Sequence, residues 1–206
     1  MVGLVFATRQ EADPFLVQTA AVEVAGKPFP LFRPAERVVL DTIVVVSGMG
    51  KVAAAMAAVH LVMAWRVSVL INAGLCGWLG TADRPLCEEL LRVSTAVEGD
   101  CDRFGHAEAP VACDPTWFAS LGTARLVTCD RPVFNADWRE QLASIGDLAD
   151  MEGAAVARVA QHYGVPCAMI KGISDNADEN GRQDVARNID RIATTIAETL
   201  LLHLKP

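Results

Sequence analysis

The chain has few of the residues that build metal centres and nucleic-acid surfaces. It contains only four histidines, and none of its six cysteines belongs to a CxxC pair, so we expect no zinc site. Lysine and arginine number 18 against 25 acidic residues, which gives a net charge of −7. Because phosphate binding needs a basic surface, this balance argues against a nucleic-acid partner.

Long apolar runs are also missing. No stretch approaches 18 apolar residues without a charge, which argues against a membrane-spanning helix. Residues 1–7 lack a basic leader and a cleavage site, and they predict a first strand instead of a signal peptide. The cysteines at 76, 87, 101, 113, 129 and 167 are scattered, which favours free thiols in a reducing cytoplasm over a disulfide framework.

Apolar residues, by contrast, make up 52% of the 206 residues. The length suits one domain over residues 1–206 with a large buried core. Runs rich in Val, Ile and Leu recur along the chain, and several are continuous, as in strands that are covered on both faces. The predicted strands are residues 2–7, 38–47, 67–73, 90–97, 126–128 and 165–170.

Helical patterns alternate with these strands at residues 51–65, 151–162 and 184–204. The alternation predicts an α/β fold with a mostly parallel sheet, in which ligands bind outside the carboxyl ends of the strands. That rule singles out the segments that follow strands. They are residues 8–11, 47–51, 72–80, 128–135 and 174–178.

Three carboxylates, Glu11, Glu152 and Asp175, fall in or beside these segments. Each also has a plain structural explanation. Glu11 and Glu152 could interact with a helix dipole, and Asp175 could be an N-cap. Their shared position favours a site that holds a polar substrate and moves a proton. The acidic cluster at 147–150 is interpreted as a charged helix start.

Two glycine-containing turns follow neighbouring strands. In Ser47-Gly48-Met49-Gly50-Lys51 the glycines would let the backbone approach a ligand, although a tight strand–helix turn would use them equally well. The spacing is not that of a Walker loop. Residues 72–80, with Gly74, repeat the pattern, so Gly50 and Gly74 are predicted contacts of a substrate.

The motifs MEGAA at 151–155 and ISDNAD at 173–178 resemble those of the nucleoside phosphorylase/nucleosidase superfamily. Residues 46–65, 69–79 and 150–178 look like the matching blocks of 5′-methylthioadenosine/S-adenosylhomocysteine nucleosidases, and MEGAA also occurs in futalosine hydrolases. The resemblance implies a single-domain α/β fold with a central mixed β-sheet flanked by helices. It also implies hydrolysis of the N-glycosidic bond of a purine nucleoside, with no cofactor and no metal.

The resemblance assigns a role to each candidate residue. Glu11 would orient the attacking water, and Asp175, supported by Ser174, would donate a proton to the purine. Glu152 would bind the ribose hydroxyls. Met151 would pack on the sugar, and an aromatic residue, Phe134, would stack on the base.

The chain also departs from its relatives. Phosphorylases hold phosphate with a Gly-Asp-Pro-x-x-Arg type of loop after the first strand, whereas this chain has Ala7-Thr8-Arg9-Gln10-Glu11, which suits water. Leu75 and Trp78 replace small residues of the family and could reshape the pocket. Lys171 stands where relatives often have Arg, so a role in phosphate binding is considered.

Three functions therefore remain open: a cytoplasmic nucleosidase, a phosphorylase that uses phosphate, and a catalytically silent nucleoside-binding module. The group on the 5′ carbon of the substrate is unresolved. A homodimer is predicted from the apolar content and the family. Met56, Leu61, Met63 and Trp65 are expected to supply its apolar surface.

Overall fold

The computed structural model describes residues 1–35, 38–80, 89–101, 104–105 and 109–205. Cys87 lies outside these ranges. The strands are β1 (Val2–Phe6), β2 (Val22–Ala25), β3 (Leu31–Arg33), β4 (Thr42–Val46), β5 (Val69–Trp78), β6 (Leu90–Glu98), β7 (Val111–Ala112), β8 (Thr123–Thr128), β9 (Leu148–Asp150) and β10 (Cys167–Asp175). The helices are α1 (Arg9–Gln18), α2 (Lys51–Trp65), α3 (Ala136–Ala143), α4 (Gly153–Tyr163) and α5 (Gly181–His203).

The strands form one mixed sheet in the order β10-β6-β8-β9-β5-β1-β4-β3-β2, with β7 on β6. Among the described residues, five of the strand pairings are parallel and five are antiparallel. The mixed sheet that the family resemblance implies is therefore confirmed, and the mostly parallel sheet expected from alternation alone is wrong. Strand β10 also pairs with β5, so β5, β10, β6, β8 and β9 form a closed ring.

The antiparallel contact between β5 and β9 decides where strand ends meet. It involves the last two residues of β5 and the first two of the three residues of β9, with Gly77 opposite Ala149 and Trp78 opposite Leu148. Because the two strands overlap only there, their carboxyl ends converge although they run in opposite directions. The ends of β1 and β10 lie beside β5, whose parallel neighbours they are.

Most predicted elements are confirmed, but several bounds are wrong. Helix α2 has the predicted bounds 51–65, and its C-cap, Arg66, is left-handed at φ +52°. Strand β5 continues to Trp78 instead of ending at residue 73, and β10 continues to Asp175 instead of ending at residue 170. Both extensions carry the glycine- and serine-containing segments into the sheet, where their backbone groups are paired with neighbouring strands.

Helices pack against the sheet and bury an apolar core between themselves and the strands. Leu61 on α2 is fully buried, so its predicted place on an apolar surface is wrong. It packs among Ile43, Val45 and Leu70 in the core on that side of the sheet.

Among the described residues, no helix is both long enough and apolar enough to cross a bilayer.

Candidate active site

A cavity of about 270 Å³ opens where the carboxyl ends of β1, β5, β9 and β10 converge. The described residues that line it include four carboxylates and no Lys, Arg or His. They are Ala7, Thr8, Glu11, Met49, Leu75, Cys76, Gly77, Pro132, Val133, Phe134, Ala149, Asp150, Met151, Glu152, Ser174, Asp175, Val185 and Ile189. The cavity is thus acidic at several points and apolar over much of the remaining wall.

Glu11 is held by a reciprocal cap at the start of α1. Its backbone N–H donates to the Thr8 hydroxyl at 3.2 Å. Its Oε2 accepts from the Thr8 N–H at 2.9 Å and is 2.8 Å from the Thr8 hydroxyl oxygen. Its Oε1 accepts from the Leu75 N–H at 3.0 Å. A carboxylate oxygen has two acceptor sites, so Oε1 keeps one for a further donor.

Gly74 explains how β5 can approach Glu11 so closely. A Cβ atom at position 74 would stand 2.8 Å from Glu11 Oε1, which is closer than real Cβ contacts allow. Any side chain at 74 would therefore push the carboxylate away from the Leu75 N–H. Gly74 does not line the cavity itself, but it determines the place of a carboxylate that does.

Glu152 is the N-cap residue of α4, directly after β9. Its Oε1 accepts from the Gly50 N–H at 2.7 Å, which joins this helix start to the turn before α2. Gly50 has φ +94°, a conformation that favours glycine. Burial, followed by the neighbouring charge of Asp150, raises the pKa of Glu152 to about 7. The Gly50 N–H and the Lys171 ammonium oppose that rise without cancelling it.

Ser174 and Asp175 enter the same cavity because β10 is irregular there. The register with β5 shifts between Ile173 and Asp175. In a regular strand consecutive side chains point to opposite faces, whereas a bulge redirects them. Both residues are buried and line the cavity. Asp175 is part of the strand, so its predicted alternative role as an N-cap is wrong.

Two groups contact the Asp175 carboxyl. Its Oδ2 is 2.7 Å from the Ser174 hydroxyl oxygen, and its Oδ1 accepts from the Ala177 N–H at 2.8 Å. Burial is the largest influence and raises the pKa of Asp175 above its ordinary value, while these hydrogen bonds oppose the rise. The site therefore favours a proton on Asp175 and has donors ready for the carboxylate that is left when the proton leaves.

A buried ion pair lies beside these carboxylates. Lys171 Nζ is 2.7 Å from Asp150 Oδ2, and both side chains are 1% exposed. Asp150 also accepts from the Thr128 hydroxyl at 2.6 Å and from the Gly153 N–H at 2.8 Å. Burial disfavours the lysine charge, but Asp150 and Glu152 outweigh it and raise the pKa of Lys171. Asp150 ends a strand, so the interpretation of 147–150 as a charged helix start is wrong.

Phe134 and Met151 line the cavity from two different segments. Phe134 follows β8 and is half-buried. Its ring lies against the start of α5, where a Cβ on Gly181 would come within 2.4 Å of Phe134 Cδ1. Glycine at 181 therefore leaves room for the ring, and no feature of the sequence indicated that contact.

Leu75 and Trp78, which replace small residues of the family, differ in their effect on the pocket. Leu75 lines the cavity, and its N–H holds Glu11. Trp78 does not line the cavity. Its indole packs beside Gly80, where a Cβ would come within 2.3 Å of the ring. The side chain of Leu75 thus narrows the pocket, whereas Trp78 fills space outside it.

The comparisons with known proteins agree with this architecture. The family model of the phosphorylase superfamily matches residues 2–204. The chain belongs to this superfamily. A 5′-methylthioadenosine/S-adenosylhomocysteine nucleosidase from Shewanella halifaxensis is 31% identical over 170 residues, covering 70% of this chain and 72% of that protein. An aminodeoxyfutalosine nucleosidase from Helicobacter pylori is 25% identical and covers 97% of this chain and 96% of its own length.

Solved structures of superfamily members have the same fold. A nucleosidase from S. pneumoniae with a transition-state inhibitor superposes with a TM-score of 0.89 at 24% identity, covering 99% of this chain and 98% of that one. The native futalosine hydrolase of Helicobacter pylori has a TM-score of 0.87 at 25% identity, with 97% of this chain and 94% of that one covered.

Several contacts that build this site were not predicted. Thr8 and the Leu75 N–H hold one carboxylate, and Asp150 with Lys171 lies beside another. The Thr8-to-Glu11 spacing is a capping-box signal that could have been found. The pairing of Asp150 with Lys171 joins distant segments, and no local pattern announces it.

Proposed function

We propose that this protein is a hydrolase that cleaves the N-glycosidic bond of an adenosine-type purine nucleoside and releases the free base. One observation carries the choice of water as nucleophile: the described lining of the cavity has four carboxylates and no cationic side chain. A phosphate dianion needs cations or N–H groups, and the Glu11 carboxylate beside the end of β1 repels it. Water is neutral, and a carboxylate can accept its proton.

Asp175 is assigned the role of general acid. A purine that departs as an anion is a poor leaving group, and protonation makes its departure easier. Burial raises the pKa of Asp175, which favours its protonated form, and Ser174 and Ala177 stabilise the carboxylate after the proton has moved to the base. Ser174 therefore supports the acid without transferring the proton itself.

Glu11 is assigned the orientation of the attacking water. Thr8 and Leu75 fix its carboxylate, and Oε1 retains one acceptor site for a water proton. The negative charge near C1′ would also stabilise the oxocarbenium-like sugar of the transition state.

Glu152 and Met151 are assigned to the ribose. An ionised Glu152 can accept hydrogen bonds from vicinal hydroxyls, and the adjacent Met151 offers an apolar surface to the sugar. Gly50 serves this contact indirectly, because its N–H holds Glu152. Gly74 serves Glu11 in the same indirect way, by leaving room for its carboxylate.

Arg9 and Lys171, the cations that the sequence suggested for phosphate, are both paired with carboxylates. Arg9 pairs with Asp13 on the outer face of α1 and stacks over the Phe32 ring at 4.5 Å from its centroid. Lys171 is buried against Asp150. Both arrangements support hydrolysis over phosphorolysis.

A product assay tests the proposal. The protein is incubated with adenosine, 5′-methylthioadenosine, S-adenosylhomocysteine and futalosine, with and without phosphate, and the sugar product is identified. We expect free sugar and free base at a rate that does not depend on phosphate. A sugar 1-phosphate would support the phosphorylase instead, and binding without turnover of any substrate would support the silent module. The preferred substrate identifies the 5′ group.

The ionisation of Glu152 should appear in the pH dependence of the reaction. Its raised pKa means that the side chain is neutral below about pH 7 and charged above it. If the charged form binds the ribose, kcat/KM for ribosides should rise as the pH passes through about 7. Glu152→Gln should remove this acid limb and lower kcat/KM.

The exposed carboxylate of Glu23 provides the matched control, since Glu23→Gln should leave the profile unchanged. A second measurement uses 2′- and 3′-deoxy substrates. The wild type should have a low kcat/KM for these substrates, and Glu152→Gln should lower that kcat/KM little further. An unchanged acid limb in Glu152→Gln would refute the ribose contact.

Phe134 is assigned to base stacking, and its loss should weaken purine binding. Base–aromatic stacking contributes about 1–3 kcal/mol elsewhere, so Phe134→Ala should reduce affinity for the product base by that amount. Phe134→Tyr should retain most of it. Calorimetric titration gives both values, with the exposed Phe104→Ala as control. Undiminished affinity in a folded Phe134→Ala variant would indicate a packing role only.

The proposal also includes a homodimer through the outer face of α2. Val52, Met56 and Met63 are 75%, 59% and 62% exposed and lie along one side of that helix. Met49, just before the helix, is 69% exposed and also lines the cavity. A second copy on this face would therefore cover apolar surface and reach the mouth of the site.

The described cysteines are all free, which supports a cytoplasmic location.

Light scattering tests the dimer. We expect twice the chain mass of 22.0 kDa at micromolar concentration. A double variant, Met56→Lys with Met63→Lys, should be monomeric because two desolvated charges would face the partner. Val17→Lys, on the exposed face of α1, should leave the mass unchanged. A monomeric wild-type protein would contradict the prediction.

A further inference from the structure

A second cavity lies away from the candidate active site, between β7, α4 and the start of β10. It has a volume of about 320 Å³ and contains two cysteine side chains, Cys113 and Cys167. The other residues that line it are Val111, Ala112, Asp114, Ala157, Ala160, Gln161, Val165 and Pro166. Nothing in the proposed reaction uses these groups.

One backbone hydrogen bond, between the residue after Cys113 and Cys167, places the two cysteines near each other. The Asp114 N–H donates to the Cys167 carbonyl at 2.7 Å, and the Cys113 N–H donates to the Ser94 carbonyl at 2.9 Å. Cys113 thus leaves β7 beside the first residue of β10. Because Asp114 directly follows Cys113, this bond places Cys113 next to a residue that is hydrogen-bonded to Cys167. A disulfide requires Cα atoms about 4.4–6.8 Å apart, a range that residues on hydrogen-bonded neighbouring segments commonly meet.

The thiols also interact directly. The neighbouring Cys167 lowers the pKa of Cys113, and the Lys171 charge acts in the same direction while burial opposes both. The same interaction raises the pKa of Cys167. Cys113 is therefore the better thiolate, and Cys167 keeps a proton that it can release later.

We propose that Cys113 and Cys167 form a dithiol modification site that reacts with small disulfides and closes to an intramolecular disulfide. The Cys113 thiolate attacks one sulfur of the small disulfide and expels one thiolate, which leaves a mixed disulfide on Cys113. Cys167 then loses its proton and attacks Cys113 Sγ, and the second small thiolate leaves and takes a proton. The two protein thiols are oxidised, and the small disulfide is reduced to two thiols.

The cavity supplies the access that two buried thiols need. Both cysteines are buried, but Ala112, Gln161 and Pro166 on the cavity wall are exposed to solvent. This exposed wall offers a small disulfide a route from solvent into the cavity that the two cysteines line. The Asp114 carboxylate on the same wall favours a reagent with an amino group.

Other described cysteines lack this combination. Burial raises the pKa of Cys76 above its ordinary value and that of Cys129 to about 12. The pKa of each of these two thiols is shifted by burial and by charged groups, without a contribution from another cysteine. Cys101 is exposed and serves as an internal indicator that the reagent is active. The proposal is independent of the nucleosidase assignment, because it concerns a different cavity.

Peptide mapping of the full chain tests the site. The folded protein is treated with cystamine, alkylated, digested without reduction and analysed by mass spectrometry. We expect one linked peptide pair that joins Cys113 to Cys167, with a loss of two hydrogens, while Cys76 and Cys129 stay alkylated. Cys167→Ser should retain the cystamine half on Cys113, and Cys113→Ser should show neither a link nor an adduct at Cys167. Cys101→Ser should form the link as the wild type does.

Two results would overturn the proposal. One is a native protein in which Cys101 reacts but Cys113 and Cys167 remain unlinked. The other is a link that forms only after unfolding in urea. Both are read from the wild-type chain, so they do not depend on whether a variant folds.

Discussion

Asp175→Asn should lower turnover by about 10²–10⁴-fold, the usual contribution of general acid–base catalysis, and should leave ligand affinity largely intact. Asparagine keeps the shape of the side chain and can still contact Ser174 and Ala177. It has no acidic proton for the departing base. Single-turnover rates measure the loss, and titration with the product base measures affinity.

The position of Asp175 makes this test specific. Its pKa is raised chiefly by burial, whereas an exposed carboxylate such as Asp137 has no such environment. Asp137→Asn should therefore leave turnover unchanged. The Asp175→Asn substitution should also lower the turnover of substrates whose leaving group needs no protonation by less than it lowers the turnover of purine nucleosides. Near-normal turnover of purine nucleosides in Asp175→Asn would remove the proposed acid.

Glu11→Gln should also abolish most turnover, by about 10²–10⁴-fold, because an amide cannot accept a proton from water. The amide would also place an N–H₂ group among donors that now point at a carboxylate, from Thr8 and Leu75. Affinity for the product base should change little, since the base contacts are assigned to other residues. Rates under saturating substrate measure the effect, and Glu23→Gln is the matched control.

The identity of the sugar product decides between the two enzyme classes. In phosphate buffer we expect free sugar from the wild type, with the same residual product in Glu11→Gln. A sugar 1-phosphate whose yield follows phosphate concentration would contradict the role of Glu11. Arg9 would then be the first residue to reconsider, since it lies two positions away in the same helix.

Much of the candidate site was predictable because its residues belong to local patterns. Glu11 and Glu152 stand at helix starts and Asp175 is the last residue of a strand, and the strand pattern placed all three at or near carboxyl ends. All three line one cavity, together with Met151, Phe134 and Ser174. What these side chains do in the reaction remains a prediction that the variants above test.

The electrostatic surroundings of the carboxylates could not be predicted in the same way. Lys171 lies in a buried strand, and the family comparison suggested a contact with phosphate. In the fold it pairs with Asp150, which comes 21 positions earlier in the chain. Removing one partner of such a buried pair leaves an uncompensated charge, so the two residues act as a unit.

The sequence by itself determined the alternation of strands and helices, the bounds of α2 and the positions of the acidic residues, because these follow from local hydrophobic period and turn chemistry. Only the tertiary structure decided that the end of β5 meets the short strand β9 and that β10 bulges beside Ser174. Strand direction and register depend on contacts between distant segments. Those contacts bring the ends of opposed strands to one cavity and place two consecutive residues, Ser174 and Asp175, inside it.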